Sequence, residues 1–317
     1  MAENFKNDVY AFSCLTVRNL KLFFKDKMQV FFSLLAPLIV LFLYVAFLGE
    51  TQMASLRASI PEGLISDDLI EGVVNGWMLS GLLAVTCITV AVSVSSVTVS
   101  DNEKGISADF DSSPVRGSVV RFSYMAASYV STLIITFIIL AIGLIYLAIS
   151  GWYLNAGQVF AIIGNVFLSA MSSTLFATVA VSFFRSSGAL GGFIGIISAA
   201  IGFLVGAYIP LNVLGKGMEY AACFLPGTYS AAIFRDMFIS GALDEMALTL
   251  PEEAVDAIAE NYAVNVNFFG VDMQSWFSVL MLLASIIFFA LLMIVLSPVM
   301  AKIRRRQGGH IKKRAKN

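Results

Sequence analysis

Histidine occurs once in the 317 residues, at His310, and cysteine three times, at Cys14, Cys87 and Cys223. One imidazole excludes His-based metal centres and catalytic triads, which need several ligands or a His beside a nucleophile. The three thiols lie far apart in segments of different character, so no disulfide framework is expected. A phosphate-cradling G-x-x-x-x-G-K-[ST] is missing too; Gly215-Lys216-Gly217 lacks both the glycine spacing and the Ser/Thr, so the chain does not bind ATP in that manner. Charge is scarce, with Asp, Glu, Lys and Arg making up 13% of residues against 58% hydrophobic ones. The acid pairs Asp67-Asp68 and Glu252-Glu253 read as solvated faces, not as a general acid and base. No catalytic residue, metal ligand or resident cofactor is expected, and the composition is not that of a soluble globule.

What is present is apolar sequence in long runs. Six of them, residues 29–49, 76–99, 122–149, 157–184, 189–208 and 276–300, are free of Asp, Glu, Lys and Arg except near an end. Each reaches the roughly 20 residues a helix needs to cross a bilayer, which predicts an all-α integral membrane protein with six transmembrane helices. The first run is too long for a cleaved leader and has no small-residue cleavage pattern behind it, so it reads as a retained span. Ion-driven carriers and voltage sensors carry ionisable groups inside the membrane. These spans offer hydroxyls instead, so the energy for any active transport has to come from elsewhere.

Basic residues sort by segment. Lys6, Arg18, Lys21, Lys25 and Lys27 precede the first span; Lys104, Arg116 and Arg121 follow the second; Arg185 follows the fourth; Lys302, Arg304, Arg305, Arg306, Lys312, Lys313, Arg314 and Lys316 follow the sixth. The intervening segments hold only Arg57, Lys216 and Arg235 against fourteen acids. By the positive-inside bias this predicts cytoplasmic termini at a cell membrane crossed several times. Trp77, Trp152 and Trp276 then fall at outer span ends, where indole rings favour the headgroup level.

Three regions lie outside the spans. Residues 1–28 read as an amphipathic interfacial helix, with Phe5, Val9, Phe12, Thr16, Leu20 and Phe23 on one face and Asn7, Arg18, Lys21 and Lys25 opposite. Within the transmembrane domain of residues 29–300, segment 100–121 is a cytoplasmic connection and 209–275 an outer region; 301–317 is a basic tail. The apolar stretch from Tyr220 to Phe234 is short for a crossing, is broken at Leu225-Pro226-Gly227, and would place the basic tail outside. It therefore reads as an outer re-entrant helix pair before the last span, or else as an amphipathic helix lying flat on the outer surface. Thr249-Leu250-Pro251-Glu252 reads as a capping box opening a helix with Val255, Ile258 and Tyr262 on one face.

The hydroxyls are ordered. In the second span Thr86, Thr89, Ser93, Ser96 and Ser100 recur every three or four residues, a stripe suited either to helix packing or to lining a substrate path. In the fifth, Gly188 with Gly192, the row Gly191, Gly195, Ala199, and the row Ser198, Gly202, Gly206 form small-residue ridges that let backbones approach.

Two blocks resemble a known family. Glu103-Lys104-Gly105-Ile106 with Ser112-Ser113-Pro114-Val115-Arg116 is similar to the E-x-G … S/T-P-V/L-x-R signature after the second span of ABC-2 type transporter permeases. Gly206 to Leu211, then Phe224-Leu225-Pro226-Gly227-Thr228-Tyr229 and Arg235, resembles the block before the last span of that family. The resemblance implies a permease that pairs with a second copy or a paralogue and with separate cytoplasmic ABC ATP-binding subunits, which would hold the ATP and Mg. It implies no nucleic-acid partner; the lipid bilayer is the remaining contact. Coupling to the ATPase is implied for Glu103, Lys104, Gly105, Ser113 and Pro114, and Leu225, Pro226 and Gly227 become an outer gate. Where many relatives have a Leu-rich run, Ser107-Ala108-Asp109-Phe110-Asp111 stands here, which suggests that Asp109 and Asp111 meet a basic groove. A self-contained channel or carrier, and a membrane-embedded enzyme or scaffold, are the competing readings.

Overall fold

The computed structural model describes the backbone of residues 2–61, 63–269 and 271–314, with side chains described within 6–296 except at 62, 111, 212, 270 and 272. The elements in chain order are α1 (Ala2–Lys25), α2 (Lys27–Leu43), a π-helical turn (Tyr44–Leu48) leading into α3 (Gly49–Ser59), α4 (Asp67–Glu103), α5 (Ile106–Ser112), α6 (Gly117–Ser150), α7 (Ala156–Ser182), α8 (Ser187–Leu204), α9 (Lys216–Ala222), α10 (Pro226–Met246), α11 (Glu252–Asn261), β1 (Val266–Phe268), β2 (Val271–Met273) and α12 (Ser275–Arg314). Among the described residues six helical stretches are long and apolar enough to cross a membrane: Lys27–Ser59, α4, α6, α7, α8 and Ser275–Leu296. The class is the all-α membrane class expected. Its one addition is a short antiparallel hairpin that pairs Val266 with Met273 and Phe268 with Val271.

α4 is the axis of the bundle, packed by α2, α6, α7, α8 and α10. Its apolar window is 89% buried, against 6% for the last span, where Ile287, Phe288, Leu291 and Ile294 stay exposed. The cause is in its sequence, because small residues recur along α4 and let neighbours approach to backbone contact. A Cβ on Gly76 would stand 3.0 Å from the carbonyl oxygen of Phe238, and one on Gly81 would stand 2.8 Å from Cα of Ala207. Hydroxyls join the helices as well: Ser95 to Ser128, Cys87 to Thr136, Ser169 to Ser230 and Ser172 to Ser285. Such bonds are individually worth about 0.6 kcal/mol in a membrane, so they select register more than they supply stability.

α10 runs antiparallel to α4. Phe238 and Ile239 lie against Gly76, and twelve residues further along α4 Ile88 lies against Gly227. Its far end is held by Tyr153, whose carbonyl oxygen is 1.8 Å from where a Gly241 Cβ would be.

Four expectations are corrected. Trp77 is not at a headgroup belt: it is 1% exposed, its ring lies edge-on to Tyr262 at 6.0 Å, and its indole N–H has no partner among the described residues. The α11 region folds over it, whereas Trp152 and Trp276 remain exposed. The Thr249 capping box does not form either: α11 starts at Glu252 with Pro251 at its N-cap and no side-chain cap, because the Thr249 and Leu250 amides close the end of α10 by bonding Met246. A capping box does occur at α7, where Asn155 and Gln158 bond each other's backbone amides. The helix that begins after Leu225 also passes Phe234 and continues to Met246. Finally, α1 keeps Phe12, Thr16, Leu20 and Phe23 on its covered side and Asn7, Lys21 and Lys25 on its exposed side, but Arg18, placed with the basic face, turns with Asn19 toward the protein, and Val9 is 48% exposed.

Candidate functional site

The connection between α4 and α6 is built by backbone chemistry first. α4 ends at Glu103, Lys104 keeps helical dihedrals, and Gly105 turns left-handed at φ 79° to start α5. No atom lies within 4 Å of a Cβ placed on Gly105, so the glycine is needed for its dihedral and not for space. At the far end Ser113 donates its hydroxyl to the Phe110 carbonyl at 2.8 Å and accepts the Val115 amide at 3.3 Å, which holds the extended Ser113-Pro114 exit. Gly105→Ala is expected to cost about 1 kcal/mol through the left-handed dihedral, and Gly105→Asn less. Thermal unfolding of the two purified variants checks the order.

Two acids fix this connection in space. Glu103 accepts the Ser187 amide at 2.9 Å and the Ser187 hydroxyl, so it sits on the first turn of α8. The hydrogen bonds from Ser187 lower its carboxyl pKa in sense with the anionic cap a helix N-terminus favours. Asp101, 4% exposed, takes a forked bond from Arg18 of α1 at 2.6 and 3.1 Å and a third from the Tyr124 hydroxyl of α6. The Arg18 guanidinium also stands 5.6 Å from the Phe110 ring of α5. Its bond to Asp101 pushes the Arg18 pKa up. Asn19 donates to Ser123 at 3.4 Å, and Arg116 pairs with Asp8 at 3.2 Å. One carboxylate thus gathers α1, α4 and α6, with α5 stacked on the cation that binds it.

Sequence reasoning singled out Glu103, Gly105, Ser113 and Pro114 but missed Arg18, Asp101 and Tyr124. The signal was an acid at the very border of an apolar run, two residues before Glu103. Lys104 and Asp109 are exposed, and the Asp111 side chain lies outside the described residues.

The span-two stripe is covered. Thr86, Thr89 and Ser93 are buried, and Thr86 and Thr89 give their hydroxyls to Leu82 and Val85 of their own helix. The Ser93 hydroxyl has no partner among the described residues. Ser96 is partly buried and bonds Gln29 of α2 and the Ser93 carbonyl. At the same height along α4, Leu225 is extended, Pro226 opens α10, and a Cβ on Gly227 would meet Ile88 Cδ1 at 2.2 Å, between Thr86 and Thr89 in sequence.

Further along α10, Arg235 is 1% exposed. It donates to Val205 at 2.8 Å, Gly206 at 2.7 Å and Ala263 at 3.2 Å, all backbone carbonyls. The first two are at the C-terminal end of α8, whose partial negative charge suits a cation. In α8 itself, Gly188, Gly191, Gly192 and Gly195 face open space, whereas Gly202 is covered by the Tyr208 ring.

The family model described as ABC-2 type transporter matches residues 10–239. No curated protein and no solved structure gives a significant match.

Proposed function

Because the chain belongs to the ABC-2 type transporter family, we propose that it is a permease subunit driven by separate cytoplasmic ATP-binding subunits, exporting an amphiphilic small molecule, peptide or lipid. The end that carries α1 and α5 faces the cytoplasm of the cell membrane, and the ATP and Mg sit on the partner. The observation that carries this reading is the Asp101 junction. A motion delivered to α5 or α1 passes to α4 through Arg18 and Asp101, and α4 touches five other helices of the bundle. Rigid levers of this kind are how closure of one body is passed to another.

Outward of that lever, Leu225, Pro226 and Gly227 act as a gate at the level of Thr86 and Thr89. Contact of Gly227 with Ile88, midway along α4, supports a helix pair that re-enters the bilayer over one lying flat on it. The path along Thr86, Thr89, Ser93 and Ser96, whose Ser96 end is covered by Gln29 of α2, opens when the helices packed on α4 withdraw from it. The open glycine row of α8 supports pairing with a second permease copy or a paralogue.

The test is co-purification of the tagged chain from its native membrane, with mass spectrometry and an ATPase assay. A stoichiometric P-loop ATPase, lost in Glu103→Ala with Gly105→Ala, supports the reading; a chain recovered alone, without nucleotide hydrolysis, makes it a self-contained channel or carrier. Asp109 and Asp111 are expected to meet basic residues of the ATPase. Reversing both to Lys should lower coupled ATPase activity at least tenfold, from about 1 kcal/mol or more per lost pair. Reversal of the facing bases should restore it, and undiminished coupling in Asp109→Ala with Asp111→Ala contradicts the contact.

A further inference from the structure

A cleft of ≈ 420 Å³ separates α1 from the first turns of α6. Its walls are Val9 and Phe12 on one side and Val119, Phe122, Met125 and Ala126 on the other, with Asp8 and Ser118 at the polar margin. Phe122 and Val9 are each 48% exposed, so the cleft leaves large apolar side chains uncovered by protein. Its volume lies within the range of ligand-sized pockets, roughly 300–1,000 Å³.

The position of the cleft selects its occupant. α6 is a membrane-crossing helix by length and composition, and the cleft begins one residue into it, at Ser118, just before its apolar run opens at Phe122; in the orientation proposed above this is the cytoplasmic end of the span. Arg116 precedes Ser118 and bonds Asp8, a lining residue, while Arg121 follows one turn later and has no ion pair among the described residues. Asp8 offsets one of the two guanidinium charges, which leaves about one net positive charge on the start of α6, beside the lining residues Ser118, Val119 and Phe122 in sequence.

We propose that this cleft holds an anionic glycerophospholipid of the cytoplasmic leaflet, with an acyl chain between Phe12 and Phe122 and its phosphate beside Arg116 and Arg121. The site depends on the orientation proposed above but not on the ATPase partner. A lipid seated there fills the space between α1 and α6 and bears on the position of α1, whose Arg18 reaches Asp101.

The test uses the full chain carrying Phe122→Trp, reconstituted in vesicles of phosphatidylcholine and phosphatidylglycerol with bromine on the acyl chains of one lipid at a time. Emission is compared with the wild-type chain, whose indoles at Trp77, Trp152 and Trp276 give the background. Brominated phosphatidylglycerol should quench the new indole with about a fivefold preference over brominated phosphatidylcholine, the weight of one net basic residue near an anionic surface. Adding Arg116→Gln and Arg121→Gln should reduce that preference to parity. Equal quenching by both lipids without those changes overturns the anionic site, and quenching by neither assigns the cleft to a protein contact. Should Phe122→Trp not fold, native mass spectrometry of the wild-type chain released from the mixed membrane reads the same quantity. Retained phosphatidylglycerol above its bulk share, lost in the double Arg variant, supports the site; retention in the bulk ratio overturns it. Neither readout involves ATP, so failure here leaves the permease reading standing, and failure of co-purification leaves this site standing.

Discussion

Arg235→Ala is expected to destabilise the protein by on the order of 4 kcal/mol. The side chain is fully enclosed, and removing it strips the donor from the buried carbonyls of Val205 and Gly206 and the part-buried carbonyl of Ala263. Hydrogen bonds to a charged group are worth roughly 1.5–3 kcal/mol each, and an orphaned buried acceptor costs about 1–3 kcal/mol. Some of that loss is recovered because the cation itself no longer has to be desolvated. Arg235→Lys keeps the charge but not the fork, so one ammonium does not span from the end of α8 to Ala263 and an intermediate loss is expected. Hydrogen exchange locates the effect. Protection should fall at residues 205–208 and 262–264 and not in α1 or α5. An alanine variant as stable as the parent, or a loss spread evenly over the chain, contradicts the reading of Arg235 as the tie between α10, the end of α8 and Ala263.

The second large effect is expected at the other end. Asp101→Ala leaves Arg18 and the Tyr124 hydroxyl without their shared acceptor, in a place only partly open to water. The stability cost should be about 1–2 kcal/mol, because the Arg18 side chain is 30% exposed and solvent relieves part of the loss. The functional cost should be larger. With α1 and α4 unlinked, ATP hydrolysis by the assembled complex should continue while transport per ATP falls more than tenfold. Exchanging the pair, Arg18→Asp with Asp101→Arg, should recover part of the coupling, and a double-mutant cycle should return about 2 kcal/mol of interaction. Strict additivity of the two single variants would show that the pair transmits nothing.

The spans were legible because a bilayer imposes length and apolarity on each helix separately, and both are local properties. The break at Pro226 was legible for the same reason, since proline at the first helical position is a backbone matter. Arg235 marks where local reading stopped. A charged residue reads as the end of an apolar stretch, yet here it finds carbonyls about thirty residues away in sequence, and the helix continues to Met246. Trp77 and Arg18 failed in the same way. The indole meets Tyr262 across 185 positions and the guanidinium meets Asp101 across 83, contacts that no periodicity within one helix can report. The hydroxyls were visible as a pattern, but which of them joined helices was not; the partners of Ser169 and Ser172 are on α10 and α12.

The central claim is that α5 bears on a separate ATPase. It is tested most directly by Asp109→Cys in a chain with Cys14→Ser, since Cys14 is an exposed thiol, treated in native membranes with a short bifunctional thiol-to-amine cross-linker. The account predicts one cross-linked product that contains a nucleotide-binding chain and whose yield changes when ATP is added with vanadate. The chain present at its normal level, with no such product under either condition, would contradict it.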